Sequence, residues 1–389
     1  MKKDRRSLIL VISSVVFLLF LCVGTFASPE VSFSENENRY LQQKPDFTIA
    51  NVLSGRFEEQ SEKYLNDQII GRNLWVKAMA TTEAGLGISD INGVYLCMDG
   101  RVVKRVTEAD FDWERYSKNL KQAATLKEAC EGNGIDFRAM LIPTAAYVYR
   151  DSLPDNAMRF DEDRAFANAE KTLGDSLIDL RTALTETVED GSSARESADG
   201  GVFFKTDHHW SGYGAYIGYN AFISASGLSK SGKNYEDEKP VVLSDSFYGT
   251  LYSKVLLDTL SADTIETPSA AMNRKCEVTF TGKTYDSIFF KEYLEKKDKY
   301  AVYFGGNYDR VDIKTCRETK CGVKDKILII KDSFANSFVP YLMDDYDEIT
   351  MIDTRYYRGS VEELAQDYDA VLMLYGIDNF AGEKMNLKY

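Results

Sequence analysis

Residues 327–337, ILIIKDSFANS, carry the pattern that decides the fold. The four apolar residues at 327–330 predict a short buried strand. A polar Lys-Asp-Ser corner follows, and residues 334–342 are predicted to form a helix. Ser333 is therefore expected at a strand-to-helix turn at the carboxyl end of a strand. Open α/β sheets bind their ligands at that edge.

Apolar strands and amphipathic helices alternate on the amino-terminal and carboxyl-terminal sides of this turn. Strands are predicted at 137–142, 177–180, 349–352 and 371–374, and helices at 113–130, 164–173, 212–225 and 361–366. This alternation predicts an α/β domain whose mostly parallel sheet is covered by helices on both faces. Between about 235 and 315 the alternation breaks into short β-like runs rich in Tyr, Thr and Gly. We interpret that stretch as a β-rich insertion.

Ser333 has two alternative roles at such a turn. The free backbone N–H groups of a helix N-terminus hold an oxyanion while a serine hydroxyl attacks a carbonyl carbon. The alternative is that Ser333 only caps the helix, which is a common role of serine at this position.

The chain has only two histidines, His208 and His209, which lie in KTDHHW at 205–210. A serine hydroxyl needs a base, and the usual base is a histidine oriented by a carboxylate. Asp207 lies two residues before His209, so both side chains point to the same side of an extended turn. The pattern predicts a triad of Ser333, His209 and Asp207, with His208 pointing away. The alternative is a polar loop that caps the helix after Ser211, with both histidines as ordinary surface or packing residues.

The sequence predicts no metal and no cofactor. No Cys-x-x-Cys motif occurs, and the two adjacent histidines lack the spacing of zinc ligands. The six cysteines are Cys22, Cys97, Cys130, Cys276, Cys316 and Cys321. We expect mostly buried thiols, and a single bridge between Cys316 and Cys321 stays open because they are close enough to close a small loop.

The composition excludes several classes of protein. The chain of 389 residues is 44% hydrophobic and 28% charged, which excludes a disordered or collagen-like chain. It contains 47 Lys and Arg against 61 Asp and Glu, a net charge of −14. This acidic balance argues against a nucleic acid as partner, since a binder of phosphate backbones needs a basic surface.

The N-terminus has the pattern of a membrane segment. Basic residues at 2–6 precede 20 uncharged, mainly apolar residues at 8–27. That run spans about 30 Å as a helix, the thickness of a bilayer core. We favour an uncleaved signal anchor over residues 1–28, with a cytoplasmic N-terminus and the rest of the chain outside the cell membrane. The alternative is secretion after cleavage of a signal peptide near Ala27.

Beyond the apolar run, two further regions are expected. Residues 29–92 are predicted to form an extended and helical arm, with one helix over 57–86. Residues 93–389 are predicted to form the α/β domain with its insertion.

The motif KTDHHWSGYGAY at 205–216 resembles the signature of bacterial DHHW-motif proteins. These are similar to the alginate O-acetyltransferase accessory proteins of the SGNH/GDSL hydrolase-like superfamily. The resemblance extends to SENENRYLQQKPDF, INGVYL, LIPTAAYVY, FYGTLYSK, KDSFANSFVPYL and DTRYY, and so covers nearly all of the chain beyond residue 30.

This resemblance implies an SGNH-hydrolase-like three-layer α/β/α sandwich with a permuted order of catalytic blocks. It implies acyl-ester chemistry on a polysaccharide or other glycan outside the membrane, either O-acetyl transfer or hydrolysis. It also implies a multi-pass membrane acyltransferase as the partner that supplies the acyl group. The alternative is a non-catalytic glycan-binding or scaffold protein, for which the 24 tyrosines offer stacking faces.

Four further residues are candidates for substrate binding. Lys331 stands where many relatives have glycine, and it would either crowd the turn or attract an anionic sugar. Asn336 and Asn379 are candidates for the asparagine of the oxyanion site. Arg355, just past a strand, is expected at the edge of the site, with a surface salt bridge as the alternative.

Overall fold

The computed structural model describes residues 5–34, 39–189, 201–227, 240–315 and 326–387. The chain divides into two compact units. The first comprises Met1–Ile88 with Ser253–Leu257, and the second comprises Ser89–Tyr252 with Asp258–Tyr389. Cys22, Cys97, Cys130 and Cys276 are free thiols. The bridge considered between Cys316 and Cys321 lies outside the described residues.

The first unit begins with helix α1, Arg5–Ala27. Among the described helices, α1 is the one long and apolar enough to cross a membrane, judged by length and composition. The remaining elements are the antiparallel pair β1 (Phe33–Ser34) and β2 (Arg39–Tyr40), and helices α2 (Ile49–Leu53), α3 (Arg56–Gln68) and α4 (Arg72–Gly85). The single helix predicted over 57–86 is thus two helices, because the chain turns at Gly71, whose φ is +69°.

The second unit contains thirteen described strands and nine described helices. The strands are β3 Asp90–Ile91, β4 Val94–Leu96, β5 Val102–Lys104, β6 Asp136–Ile142, β7 Leu177–Asp179, β8 Val241–Phe247, β9 Asp263–Thr267, β10 Cys276–Phe280, β11 Lys283–Tyr285, β12 Arg310–Thr315, β13 Lys326–Lys331, β14 Glu348–Ile352 and β15 Ala370–Gly376. The helices are α5 Trp113–Gly132, α6 Ala145–Val148, α7 Glu162–Leu173, α8 Arg181–Glu189, α9 Gly212–Ala225, α10 Ser269–Asn273, α11 Ala335–Leu342, α12 Val361–Ala365 and α13 Ile377–Gly382. Short 3₁₀ turns occur at Arg150–Ser152, Gly174–Ser176, Lys291–Glu295 and Lys299–Val302.

An eight-stranded sheet organises this unit, in the order β11-β10-β12-β14-β13-β15-β6-β7. The pairs from β14 through β7 are parallel, and those from β14 outward to β11 are antiparallel. The predicted α/β class with a mostly parallel sheet is therefore confirmed. The stretch interpreted as an insertion contributes β10, β11 and β12 to the main sheet, and β8 and β9 form a separate antiparallel pair.

The sheet is covered on both faces, which gives the three layers. Along β15, Leu372 and Leu374 belong to the core that also contains residues of α9 and α11. Val371 and Met373 belong to the opposite core, with residues of α5 and α7. This alternation follows from the two-residue period of a strand. The central strand β13 is almost wholly buried, so the turn that follows it rests on a rigid base.

Trp210 fixes helix α9 against the sheet. Its ring is fully buried, and a Cβ placed on Gly218 of α9 would lie 2.8 Å from Trp210 Cζ3 and 2.9 Å from Cη2. A real Cβ does not approach a ring carbon that closely, so the helix can lie at this distance only with glycine at 218.

We therefore expect Gly218→Ala to lower the free energy of unfolding by about 1–3 kcal/mol, the usual cost of overpacking a core. Gly132→Ala is the matched control, because nothing lies within 4 Å of a Cβ at that helical glycine. The control should be neutral or stabilising by up to about 1 kcal/mol. Urea unfolding measures both variants, and equal effects would contradict the role given to Trp210.

Candidate active site

Ser333 lies, as the sequence predicted, on the turn between β13 and α11. The turn is held by the buried carboxylate of Asp332. One oxygen accepts from the Phe334 N–H at 2.9 Å, and the other accepts from the Gly376 N–H at 2.8 Å and from Asn379 Nδ2 at 2.9 Å. Burial raises the pKa of Asp332 above its ordinary value, against the effect of these donors. The Ser333 N–H itself donates no hydrogen bond within the described chain.

The loop at 202–211 brings His209 to Ser333. The backbone of the loop closes on itself, since the Phe204 N–H donates to the His209 carbonyl and the Ser211 N–H to the Val202 carbonyl. His209 Nε2 lies 2.7 Å from Ser333 Oγ, and His209 Nδ1 lies 2.6 Å from Asp207 Oδ1. The three predicted triad residues therefore form one chain of hydrogen bonds.

The second oxygen of Asp207 is held by a residue that sequence reasoning did not single out. Thr250 donates to Asp207 Oδ2 from its N–H at 2.8 Å and from its hydroxyl at 3.0 Å. A Cβ on Gly249 would lie 2.2 Å from Asp207 Cβ, so glycine leaves the space for this carboxylate. Both residues belong to FYGTLYSK, and the Gly-Thr pair within it is the sequence signal that was missed.

Asp207 remains an anion in this setting. Its burial favours the neutral acid, but the two imidazoles and the Thr250 N–H outweigh burial and hold the pKa of Asp207 well below its ordinary value. A permanent carboxylate accepts the Nδ1–H of His209, which leaves Nε2 free to take a proton from Ser333.

A second buried carboxylate, Asp263, holds the backbone of the same loop. It accepts from the Lys205 N–H at 2.6 Å and from the Thr206 N–H at 2.8 Å, and the Thr206 hydroxyl also donates to it. Burial raises the pKa of Asp263 to about 6. Asp263 follows no recognisable motif, and its partners lie 57 and 58 residues away in the chain.

Tyr300 packs against the imidazole of His209. Its ring stacks on His209 with the centroids 4.0 Å apart and the planes at 11°. Its hydroxyl donates to the Ser333 carbonyl at 3.0 Å and lies 3.1 Å from Ser337 Oγ. Burial raises the pKa of Tyr300 well above its ordinary value, so the hydroxyl keeps its proton. One side chain thus contacts both the base and the serine turn.

Trp210 makes a further link between the two parts of the site. Its Nε1–H lies 3.0 Å from the Phe334 carbonyl and 2.9 Å from Ser337 Oγ. The indole therefore ties the residue after His209 to the helix that begins after Ser333.

Lys331 and Asn336, predicted to bind substrate, lie in the interior. Lys331 is only 1% exposed, and its Nζ donates to Asn307 Oδ1 at 2.6 Å and to Asn336 Oδ1 at 2.8 Å. Burial lowers the pKa of this ammonium to about 8. The expectation that Lys331 attracts a sugar therefore needs correction, because its ammonium is enclosed by two amides.

Asn379 and Arg355 also have partners within the protein. Asn379 donates to Asp332, as described above. Arg355 forms a two-point ion pair with Asp353, at 2.9 and 2.6 Å, and lies 3.5 Å from Glu383. The salt bridge named as the alternative for Arg355 is thus present in the structure.

The ligand-type atoms of Asp207, His208 and His209 lie within 4.8 Å of one another, a spacing able to hold a metal ion. The donor set fits a triad better. Both nitrogens of His209 already have partners, and a metal at either one would break the contact with Asp207 or with Ser333.

Comparisons with known proteins bear on the family and the fold. A family model described as DHHW protein matches residues 138–352, more than half of the chain. A DHHW family protein from Eubacterium siraeum has a TM-score of 0.59 and 23% identity, over 75% of this chain and 93% of that chain. Bacillus cereus PatB1, solved with a sulfonyl adduct, has a TM-score of 0.59 and 21% identity, over 76% and 100%. These likenesses agree with the predicted fold class.

Two further results complete the comparison. The O-acetyltransferase domain of Pseudomonas putida AlgJ has a TM-score of 0.44 and 12% identity, over 75% of this chain and 93% of that chain, which is too distant to carry an argument about function. No curated protein matches the chain.

The role of Asp332 is testable by its removal. Asp332→Ala leaves three donors without an acceptor, so we expect the free energy of unfolding to fall by about 3 kcal/mol. Asp155→Ala, at an exposed aspartate, is the matched control and should stay within about 0.5 kcal/mol of the parent. The measurement is urea unfolding, and a loss below about 1 kcal/mol for Asp332→Ala would rule out its role in holding the turn.

Proposed function

Since the chain belongs to the DHHW protein family, we propose that it is a serine acyl-ester enzyme that acts on a polysaccharide outside the cell membrane. The preferred reaction is transfer of an O-acetyl group, with hydrolysis of an O-acetyl ester as the variant in which water is the acceptor. The single observation that carries the proposal is the run of hydrogen bonds from Asp207 through His209 to Ser333.

The reaction has two halves that share one base. Ser333 Oγ attacks the acyl carbonyl carbon while His209 Nε2 takes the hydroxyl proton, and the Ser333 N–H donates to the oxyanion. The tetrahedral intermediate collapses, the acyl–donor bond breaks, and His209 returns its proton to the leaving oxygen. In the second half an acceptor hydroxyl gives its proton to His209 and attacks the acyl carbon, and His209 passes that proton to Ser333 Oγ as the acyl–serine bond breaks.

The location and partner of the enzyme follow from the N-terminal helix and from the resemblance. Helix α1 would act as a signal anchor that holds the catalytic unit outside the membrane, with cleavage and secretion as the alternative. A multi-pass membrane acyltransferase would supply the acyl group. The reaction needs no cofactor, because every proton transfer in it involves a side chain of the triad.

A non-catalytic scaffold is the competing proposal. A scaffold that keeps the fold has no reason to keep a serine hydroxyl 2.7 Å from an imidazole, whose other nitrogen is paired with a buried carboxylate. The geometry therefore supports turnover.

The proposal predicts selective covalent labelling of Ser333. PatB1 forms a sulfonyl adduct, so an aryl sulfonyl fluoride is a suitable probe. We expect one label per chain on the parent and none on Ser333→Ala, with p-nitrophenyl acetate hydrolysis by that variant reduced by about 10³-fold or more. Mass spectrometry of the intact protein measures the label.

Ser117→Ala is the matched control for this experiment, because Ser117 is an exposed serine on α5. It should be labelled like the parent. Labelling that persists in Ser333→Ala would place the nucleophile elsewhere. An unlabelled and inactive parent would favour the scaffold.

Tyr300 is expected to act as a positioning residue. Tyr300→Phe keeps the ring against His209 but removes the hydrogen bond to the Ser333 carbonyl, whereas Tyr300→Leu removes both. We expect p-nitrophenyl acetate hydrolysis to fall a few-fold in the first variant and at least tenfold in the second. The larger loss in Tyr300→Leu should appear in kcat rather than in KM, since the stacked ring holds the imidazole in place beside Ser333. Equal losses in the two variants would contradict this role.

A further inference from the structure

His208 is the motif residue that the triad does not use. Its side chain is 30% exposed, whereas that of His209 is 7% exposed. The ring lines a cavity whose wall also includes Leu251, Phe334 and Gly376. The His208 ring lies beside that of His209, with the centroids 3.9 Å apart, and His209 Nε2 lies 2.7 Å from Ser333 Oγ. The cavity is therefore close to the place where an acyl-serine would form.

The protons around His208 can be assigned from its contacts. Asp207 is an anion and only accepts, so the hydrogen between Thr250 Oγ1 and Asp207 Oδ2, 3.0 Å apart, comes from the Thr250 hydroxyl. That hydroxyl has one hydrogen, and therefore it accepts from His208 Nδ1 at 2.9 Å. Nδ1 also lies 3.5 Å from Asp207 Oδ1, which agrees with a hydrogen on Nδ1.

The other ring nitrogen then carries a lone pair. Burial, assisted by the neighbouring His209, lowers the pKa of His208 to about 4, so the ring is neutral at pH 7 and Nε2 has no proton. Within the described residues Nε2 has no hydrogen-bond partner. It is an acceptor that lacks a donor.

The cavity has the size of one polar group. Its volume is about 20 Å³, enough for a single water-sized group. Most of its wall is apolar, and the ion pair of Lys104 with Asp378, 2.6 Å apart, lies on one side. A hydroxyl group in this space is able to donate to His208 Nε2 and to accept from the Lys104 ammonium. A carboxylate or an apolar group would leave His208 Nε2 without a donor.

We propose that this cavity binds one hydroxyl group of the acceptor sugar, a neighbour of the hydroxyl that is acylated, and that His208 Nε2 accepts its hydrogen bond. The inference rests on the proposed function, because it concerns the acceptor of the second half-reaction. The acceptor would then be a sugar with at least two free hydroxyls close together, and His208 would be the residue that selects which one reacts.

Two substitutions test the roles of the two ring nitrogens of His208 separately. His208→Asn places an amide N–H near the position of Nδ1, which keeps the donor to Thr250 but removes the acceptor at Nε2. His208→Gln extends an amide oxygen towards the position of Nε2, which keeps an acceptor there. The comparison therefore tests the lone pair rather than the bulk of the ring, and circular dichroism verifies that both variants fold.

The experiment measures acetyl transfer from p-nitrophenyl acetate to a panel of methyl glycosides, followed by the monodeoxy analogues of the best acceptor. In the parent, one deoxy analogue should have a kcat/KM about three- to tenfold lower, the effect of one hydrogen bond. In His208→Asn that difference should vanish, and in His208→Gln it should return in part. The fall in kcat/KM for acetyl transfer by His208→Asn should come mainly from a higher KM for the acceptor. This fall should be larger than any decrease in the rate of Ser333 sulfonylation.

Two results would overturn the inference while the proposed function stands. The first is a deoxy penalty that is the same in the parent and in His208→Asn, since the missing hydroxyl and His208 are then independent. The second is p-nitrophenol release without transfer to any glycoside, because no acceptor is then bound. A parent that neither reacts with the sulfonyl fluoride nor releases p-nitrophenol would instead contradict the proposed function itself.

Discussion

The site depends on one buried charge, the carboxylate of Asp207. An ionised carboxylate removed from water is costly unless donors replace its hydration shell. Here the donors are His209, through Nδ1 and its backbone N–H, and Thr250, through its backbone N–H and its hydroxyl. Because the carboxylate only accepts, it fixes the proton of His209 on Nδ1, and through the Thr250 hydroxyl it fixes that of His208. One anion thus sets the state of both rings.

Two other buried carboxylates accept mainly from backbone N–H groups. Asp332 links the serine turn to the backbone of Gly376 at the end of β15. Asp263 accepts from the backbone of Thr206, in the loop that leads to His209. Within the described residues neither carboxylate forms an ion pair, and burial raises the pKa of each, in contrast to Asp207. Asp207, His209 and Ser333 are therefore held together by two loops, each of which is fixed by a buried carboxylate.

Local patterns in the sequence were sufficient to predict the parallel strands and the proximity of Asp207, His209 and Ser333. The turn at Ser333 and the Asp207-x-His209 spacing depend on neighbours in the chain, and the geometry follows them. The burial of Lys331 could also have been predicted from the sequence. It shares strand parity with Ile327 and Ile329, whose side chains lie in the core with α9 and α11, and the strand continues to Lys331 rather than ending at residue 330. Its ammonium donates to Asn307 and Asn336, which lie 24 residues before it and five residues after it in the chain.

The contacts that could not be predicted from the sequence come almost entirely from residues 240–315. Gly249, Thr250, Asp263 and Tyr300 all contact the Asp-His-His-Trp loop or the serine turn, yet each is 30 residues or more from its partner. No local pattern encodes such contacts, since each one joins residues that are far apart in the chain. The region that interrupts the alternation of strands and helices is therefore the part that orients the motif. A chain with the motif and the serine turn but without this region would have the reactive groups and lack what holds them in place.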